Sequence, residues 1–334
     1  MKVVLAGGSG QVGTVLARHF HERGDDVVVL SRFPNAMPWR VVQWDSQTLG
    51  SWTSEIEGAD VVFNLAGRSV NCRYTAANRK AILQSRVLST QAVGQAIARA
   101  SRAPAMWLQA STATIYAHRY DAPNDEATGI LGGHEPGAPD TWRFSTDVAN
   151  AWEKAANEIE TPRTRKVLLR SAMIMSPDRG GIFDTILWLV RIGLGGKAGS
   201  GRQYVSWIHD TDFIRAVSWL IGHSELSGVI NVAAPNPLPY VDFMRALRQA
   251  WGIRLGFPAP EWMIEIGTRL LGTESELVLK SRRVIAGRLL ESGFRFEFPT
   301  WPEAAADLTR RWRSETDKSK PFKWPLSGHQ GTPR

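Results

Sequence analysis

The chain has 334 residues, 43% of them hydrophobic, and a formal net charge of +8. That length suits one large α/β domain with an appendage, or two modest domains. No run approaches the ~18 apolar residues of a membrane-spanning helix, so a membrane partner is not expected. The single cysteine, Cys72, excludes an internal disulfide and makes a reducing cytoplasm the expected location. The seven histidines are scattered and Cys72 has no partner, so no metal site is expected.

The first element is a short apolar strand, Val3–Leu5, and the apolar run Val3–Ala6 is too brief for a signal-peptide core. Gly7, Gly8, Gly10 and Gly13 follow. Val12, Val15, Leu16, His19 and Phe20 then recur at helical spacing, and Gly24 ends that helix. The string AGGSGQVG, lying between a strand and a helix, meets the dinucleotide fingerprint in its structural context. Its glycines let the backbone approach a pyrophosphate, and the helix N-terminus supplies free N–H groups.

A second strand, Val27–Leu30, ends in Ser31 and Arg32, while Asp25 and Asp26 precede it at the wrong end. An NAD site wants an acid after this strand to hold the ribose 2′-hydroxyl. A hydroxyl and a guanidinium suit a 2′-phosphate instead, so the expected cofactor is NADP(H). Val41–Trp44 reads as a third strand with Asp45 placed to approach an adenine. Residues 59–67 give a fourth, whose small residues Ala66 and Gly67 let backbone lie against the cofactor. Ala77–Ala100 is a long helix with Ile82, Val87, Val93 and Ile97 inward. Residues 105–116 form a strand ending in hydroxyls, and 166–177 a sixth strand.

This alternation implies a doubly wound parallel sheet whose ligand crevice lies outside the strands' C-terminal ends. After about residue 180 the pattern loosens. A glycine-rich stretch at 193–213 precedes helices near 212–222 and 240–251, and 258–308 reads as a small α-rich lobe. The expected organisation is a Rossmann domain over 1–180, with segments near 200–235 returning to it, then a substrate-side and helical lobe over 181–308. Residues 309–334, with seven basic and two acidic side chains, read as a basic, disordered tail. That tail carries most of the net charge, so nucleic acid is not the expected partner; a small-molecule substrate is, on a monomer or homodimer.

GGSGQVG, NLAG, STATIY and GSGRQYVSWIHDTD together resemble the extended short-chain dehydrogenase/reductase superfamily, which includes nucleotide-sugar epimerases. More narrowly, SRVLST at 85–90, the 193–209 stretch and residues 270–296 resemble its atypical epimerase-like family with a C-terminal domain of unknown function. The resemblance covers about residues 1–308. It implies that Gly7, Gly10 and Gly13 wrap the pyrophosphate with Gln11 and Val12 at the helix start, and that Leu65, Ala66 and Gly67 line the adenine–ribose side. Arg86 stands where many members place a cofactor-contacting Asn, and its charge suits a phosphate. Ala172 and Met173 fall near the nicotinamide. Thr112 takes the position of the catalytic Ser/Thr, with Ser111 beside it and Tyr116 four residues on.

One departure matters. Superfamily catalysis uses Tyr-x-x-x-Lys on a helix, where one turn sets both side chains on one face and the lysine lowers the tyrosine's pKa. None of the five tyrosines here has lysine four residues on. The expected helix, 142–156, offers Phe144 and Val148 instead. Hydride transfer needs mainly positioning, with a proton from Tyr116, Thr112 or water. Arg202 and Gln203 are candidates to clamp a substrate phosphate or carboxylate, and Trp207 and Trp142 to line its cleft; His209 reads as structural. Two functions follow: an atypical NADP(H)-dependent oxidoreductase on a small carbonyl, hydroxyl or nucleotide-linked substrate, or a non-catalytic NADP(H)-binding sensor or scaffold. A third, a binder of nucleic acid or membrane surfaces through the tail, has least support.

Overall fold

The computed structural model describes residues 1–270 and 272–316. Its frame is a seven-stranded sheet. The strands in chain order are β1 (Lys2–Ala6), β2 (Asp26–Ser31), β3 (Arg40–Gln43), β4 (Val61–Asn64), β5 (Met106–Thr112) and β6 (Arg165–Ser171). Three short strands follow, β7 (Met173–Met175), β8 (Tyr204–Val205) and β9 (Trp207–His209), then β10 (Gly228–Val232) and β11 (Leu238–Pro239). The sheet order is β10-β6-β5-β4-β1-β2-β3 and every pairing in it is parallel.

Successive strand residues point to opposite faces, and both faces of this sheet are covered, so the central strands are apolar throughout. Val3, Leu5, Val27, Val29 and Phe63 pack on one side with Leu16 and Phe20 of helix α1 (Gln11–Glu22). Val4, Ala6, Val28, Leu30 and Val62 pack on the other with Val93 and Ile97 of α2 (Ala76–Arg99) and Ala156 of α3 (Asp140–Asn157). This is the doubly wound α/β architecture.

The later helices are α4 (Ile182–Arg191), α5 (Asp210–Gly222), α6 (Tyr240–Trp251), α7 (Glu261–Leu270), α8 (Glu276–Leu279), α9 (Gly287–Glu291) and α10 (Trp301–Thr316). α5 joins the first core, where Phe213, Val217 and Leu220 lie against α1's side of the sheet. α4, α6 and α10 build a separate core around Phe183, Phe243 and Trp301.

Two boundaries are corrected. The stretch 166–177 is two strands, because β7 leaves β6 to pair with β9. The polar tail does not begin at residue 309: α10 runs to Thr316, and Thr309 and Trp312 are buried, the indole donating to Asp184 at 2.7 Å. Residues 317–334 of that expected tail lie outside the described residues. Among the described residues no helix is long and apolar enough to cross a membrane.

Candidate functional site

The glycine turn joins β1 to α1. Gly7 adopts φ +76°, and a Cβ there would lie 2.6 Å from the Ala66 backbone, so the turn packs directly on the end of β4. A Cβ on Gly13 would lie 2.4 Å from Gly8, which seats α1 tightly on the turn. Gly10, the N-cap, is different: a Cβ there would meet nothing closer than 4.0 Å. No side chain caps α1 and its first turn holds no acid, so its N–H groups face an open position. Gln11 begins the helix with its buried Nε2 unpartnered among the described residues, against Gly181, and Val12 packs against the core. An anion over Gly10 would satisfy both the N–H groups and the helix dipole, so these residues fit a pyrophosphate.

β2 ends at the same turn. Ser31 is buried, its hydroxyl 3.2 Å from that of Ser9. Arg32 is exposed and lines a cavity of about 460 Å³ with Gln43, Trp44, Asp45, Thr48 and Trp52. Asp45 accepts the backbone N–H groups of Gln47 and Thr48, each at 2.8 Å. Bonds from Thr48 hold its pKa below the usual carboxylate range.

Leu65, Ala66 and Gly67 follow β4. The Leu65 N–H donates to Ala6 at 2.8 Å, which holds this segment beside the turn. Arg86, from α2, lies against Gly67, where an added Cβ would come within 3.2 Å of its guanidinium carbon. It donates to the Arg68 and Ile82 carbonyls at 3.0 and 3.1 Å and sits over the Trp152 ring. Among the described residues it makes no ion pair. Burial lowers its pKa to about 10, the signature of a cation lacking a counter-charge.

β5 ends in a short turn, Ala113–Ile115. Thr112 is half-buried at the strand's C-terminal end and accepts the Thr114 N–H at 3.1 Å, leaving its own proton uncommitted. Ser111 and Tyr116 are placed differently. Ser111 is buried and donates to Glu153 at 2.6 Å; the Tyr116 hydroxyl accepts from Arg170 at 3.0 Å and donates to Asn231 at 2.9 Å. Burial raises the Tyr116 pKa despite the nearby Arg170. Of the three hydroxyls the structure leaves only that of Thr112 free.

α3 carries Phe144 and Val148. Both join an apolar cluster with Tyr74, Ile82, Val70, Cys72 and Leu83. Phe144 meets the Tyr74 ring edge-on at 5.0 Å. The Tyr74 hydroxyl lies 3.5 Å from that of Ser145, which donates to Glu276 at 2.5 Å. Burial, reinforced by Glu276, pushes the Tyr74 phenol up to about 12. Lys280, also from the C-terminal lobe, is buried and donates to the Thr114 carbonyl at 2.9 Å.

The remaining candidates divide. Ala172 and Met173 are half-buried where β6 gives way to β7. Arg202 is exposed beside Tyr120. Gln203 is buried, its amide donating to the Ala198 and Val278 carbonyls at 3.0 and 3.2 Å, so it ties the glycine loop to the C-terminal lobe. Trp207 lies in the core against Trp301 at 5.0 Å, away from any cleft. Trp142 is half-buried against His118. His209 is fully buried: its Nδ1 accepts the Thr211 N–H at 3.1 Å, so Nε2 carries the proton donated to Asp307. Among the described residues no group of three or more His, Cys, Asp or Glu could hold a metal.

Sequence reading missed Glu153, Arg170 and Asn231, and the contribution of Glu274, Glu276 and Lys280. Tyr74 donates its N–H to Glu274 at 2.6 Å across two hundred residues. No local spacing signals such pairs.

The sequence pattern of the NAD dependent epimerase/dehydratase family matches residues 3–139, and that of a domain of unknown function, DUF1731, matches residues 259–308. The epimerase family protein SDR39U1 of Bos taurus is 32% identical over 304 residues, spanning 90% of this chain and 96% of the relative. An epimerase family protein of Staphylococcus aureus is 29% identical over 309 residues, spanning 92% and 98%. The crystal structure of human epimerase family protein SDR39U1 with NADPH superposes with a TM-score of 0.80 at 27% identity, covering 93% of this chain and 99% of that one. The chain therefore belongs to the NAD-dependent epimerase/dehydratase family, as an atypical extended short-chain dehydrogenase/reductase whose C-terminal lobe carries a DUF1731 domain.

Proposed function

We propose that the chain is an atypical NADP(H)-dependent oxidoreductase, acting in the cytoplasm on a small carbonyl, hydroxyl or nucleotide-linked substrate. The observation that carries this reading is Arg32, exposed on the rim of the cavity at the end of β2, where no carboxylate replaces it. A guanidinium there recognises a 2′-phosphate. NADPH in the human relative's structure supports the same assignment.

The bound nicotinamide would supply or accept the hydride. The chain's own residues do the rest. The uncapped start of α1 at Gly10 holds the pyrophosphate. Arg86, short of a counter-charge beside Gly67, adds positive charge to that side of the cleft. Ala172 and Met173 flank the nicotinamide end. Thr112 orients the substrate oxygen by a hydrogen bond from its uncommitted hydroxyl, and water supplies the proton that oxygen takes up when the carbonyl is reduced. Phe144 and Val148 make the wall apolar where the superfamily's acid/base pair stands, so catalysis rests on positioning.

That same apolar wall favours a second reading, a non-catalytic NADP(H) sensor or scaffold. Titration of the purified protein with NADPH and NADH, then a carbonyl screen following NADPH absorbance, separates the two. NADPH binding with turnover supports the enzyme. Binding without turnover across a broad screen supports the sensor. Binding of neither cofactor overturns both.

A further inference from the structure

The DUF1731 lobe exposes an apolar face that the cofactor site does not explain. Residues 256–259 are laced to the glycine loop: Phe257 N–H donates to Gly193 and Ala259 N–H to Lys197, each at 2.8 Å. This pairing sets Gly193, and with it the start of the Leu194 segment, against Phe257 two residues after Leu255, and the chain then enters α7. Trp262, Ile266 and Leu270 recur at four-residue spacing along that helix, so they form one stripe. Leu255, Phe257, Trp262 and Leu270 are each between 62% and 82% exposed. Only Ile264 and Thr268 of α7 are buried.

The area is too large for an ordinary monomer surface. With Leu194 at 47% and Ile266 at 53%, the six large apolar side chains together expose on the order of 800 Å², the share one partner gives to a standard interface; the largest patch on a typical monomer is about 300–600 Å². The charges on α7 decide the partner. Glu261 and Glu265 stand in its first half and Arg269 near its end. Arg254, next to Leu255, and Lys197 of the glycine loop are also exposed, so the face carries both signs, and an anionic lipid surface would repel its two acids. A second copy would not. In an antiparallel helix pair related by a two-fold axis, each flank meets the same flank of its mate. Glu265 and Arg269 share a flank, so Glu265 of each copy faces Arg269 of the other, while Trp262 of each reaches toward Leu270 of the other.

We infer that the α7 face, with Leu255 and Phe257, is the contact between two copies of this chain in a two-fold homodimer. The inference does not depend on the cofactor assignment.

Sedimentation velocity of the full chain tests it. The wild type sediments as a dimer at micromolar concentration. Trp262→Glu with Leu270→Glu gives a monomer of unchanged circular dichroism and unchanged NADPH affinity. Arg269→Glu weakens the dimer about tenfold, through two like-charged contacts related by symmetry. Adding Glu265→Arg to that variant restores it. A wild type that stays monomeric, a dimer indifferent to the Trp262/Leu270 pair, or a monomer that co-sediments with anionic vesicles through this face overturns the inference.

Discussion

Arg170 forks onto Glu153, its Nε 2.8 Å from Oε1 and its Nη2 2.7 Å from Oε2, and this buried pair fixes the hydroxyls around it. Ser111 donates to the same Oε1, and the third arm of Arg170 reaches Tyr116. Burial opposes the guanidinium charge, but bonding and attraction to Glu153 more than offset it, so the Arg170 pKa rises. Glu153→Gln leaves a buried cation short of its counter-charge. We expect it to lower stability by about 3–5 kcal/mol in urea unfolding. Tyr116→Phe removes hydrogen bonds but no charge, and about 1–2 kcal/mol is expected. Equal effects from the two changes would mean that the ion pair does not organise this cluster.

Two glycines of one turn should separate folding from binding. Gly13→Ala places a methyl 2.4 Å from Gly8 backbone, which cannot move without dislodging α1. A loss of roughly 1–3 kcal/mol is expected, and cofactor binding falls with it. Gly10→Ala meets nothing within contact distance, so the melting temperature should hold. Its methyl enters the space the pyrophosphate would take, and NADPH affinity should drop at least about tenfold. Thermal melts beside fluorescence titrations check both. Full NADPH affinity in Gly10→Ala would remove that position from the site.

The legible parts of this molecule were those written in short-range pattern. The strand–glycine–helix opening, the apolar runs of β1, β2 and β4, and the missing Tyr-x-x-x-Lys are all local, and local spacing reports them. Ser111, Tyr116, Gln203 and Trp207 show where that reading stops. Each is a residue type that suits a ligand cleft, and each is committed to partners far away in sequence: Glu153, Arg170, the Val278 carbonyl and Trp301. Whether a hydroxyl is free or engaged depends on tertiary contacts that no spacing encodes. The same holds for Lys280, an unremarkable lysine in sequence that the fold buries under the β5 turn.

Lys280 makes stability depend on pH in a defined direction. Burial, aided by repulsion from Arg282, lowers its pKa from 10.5 to about 8. Between those values the unfolded chain binds more protons than the folded one, so stability rises with pH. This contribution is fully present above 10.5 and is lost as pH falls through 8. The shift corresponds to about 3 kcal/mol. Lys280→Met removes the titration. The variant's stability relative to wild type should therefore be highest near pH 7 and should decline steadily toward pH 10, in urea denaturation run at each pH. Parallel profiles for the two proteins would mean that the lysine keeps its ordinary pKa.

On the proposed NADP(H) reading, Arg32 is the most direct lever on cofactor choice. It is exposed at the end of β2, and the carboxylate that shares its cavity, Asp45, is engaged by the backbone of residues 47 and 48. Ser31, its neighbour at that strand end, is buried with its hydroxyl engaged by Ser9 and the Phe33 carbonyl, which leaves Arg32 to distinguish a 2′-phosphate from a 2′-hydroxyl. Arg32→Ala should weaken NADPH binding about tenfold and leave NADH nearly untouched. Arg32→Asp should reverse the preference, since a carboxylate repels the phosphate and accepts the ribose hydroxyl. Salt supplies an independent check. A preference carried by an exposed guanidinium is screened, so the NADPH-to-NADH affinity ratio should fall as ionic strength rises from about 0.01 to 1 M. A ratio constant across that range, or unchanged in both variants, would place the selectivity in the shape of the adenosine pocket rather than in this charge.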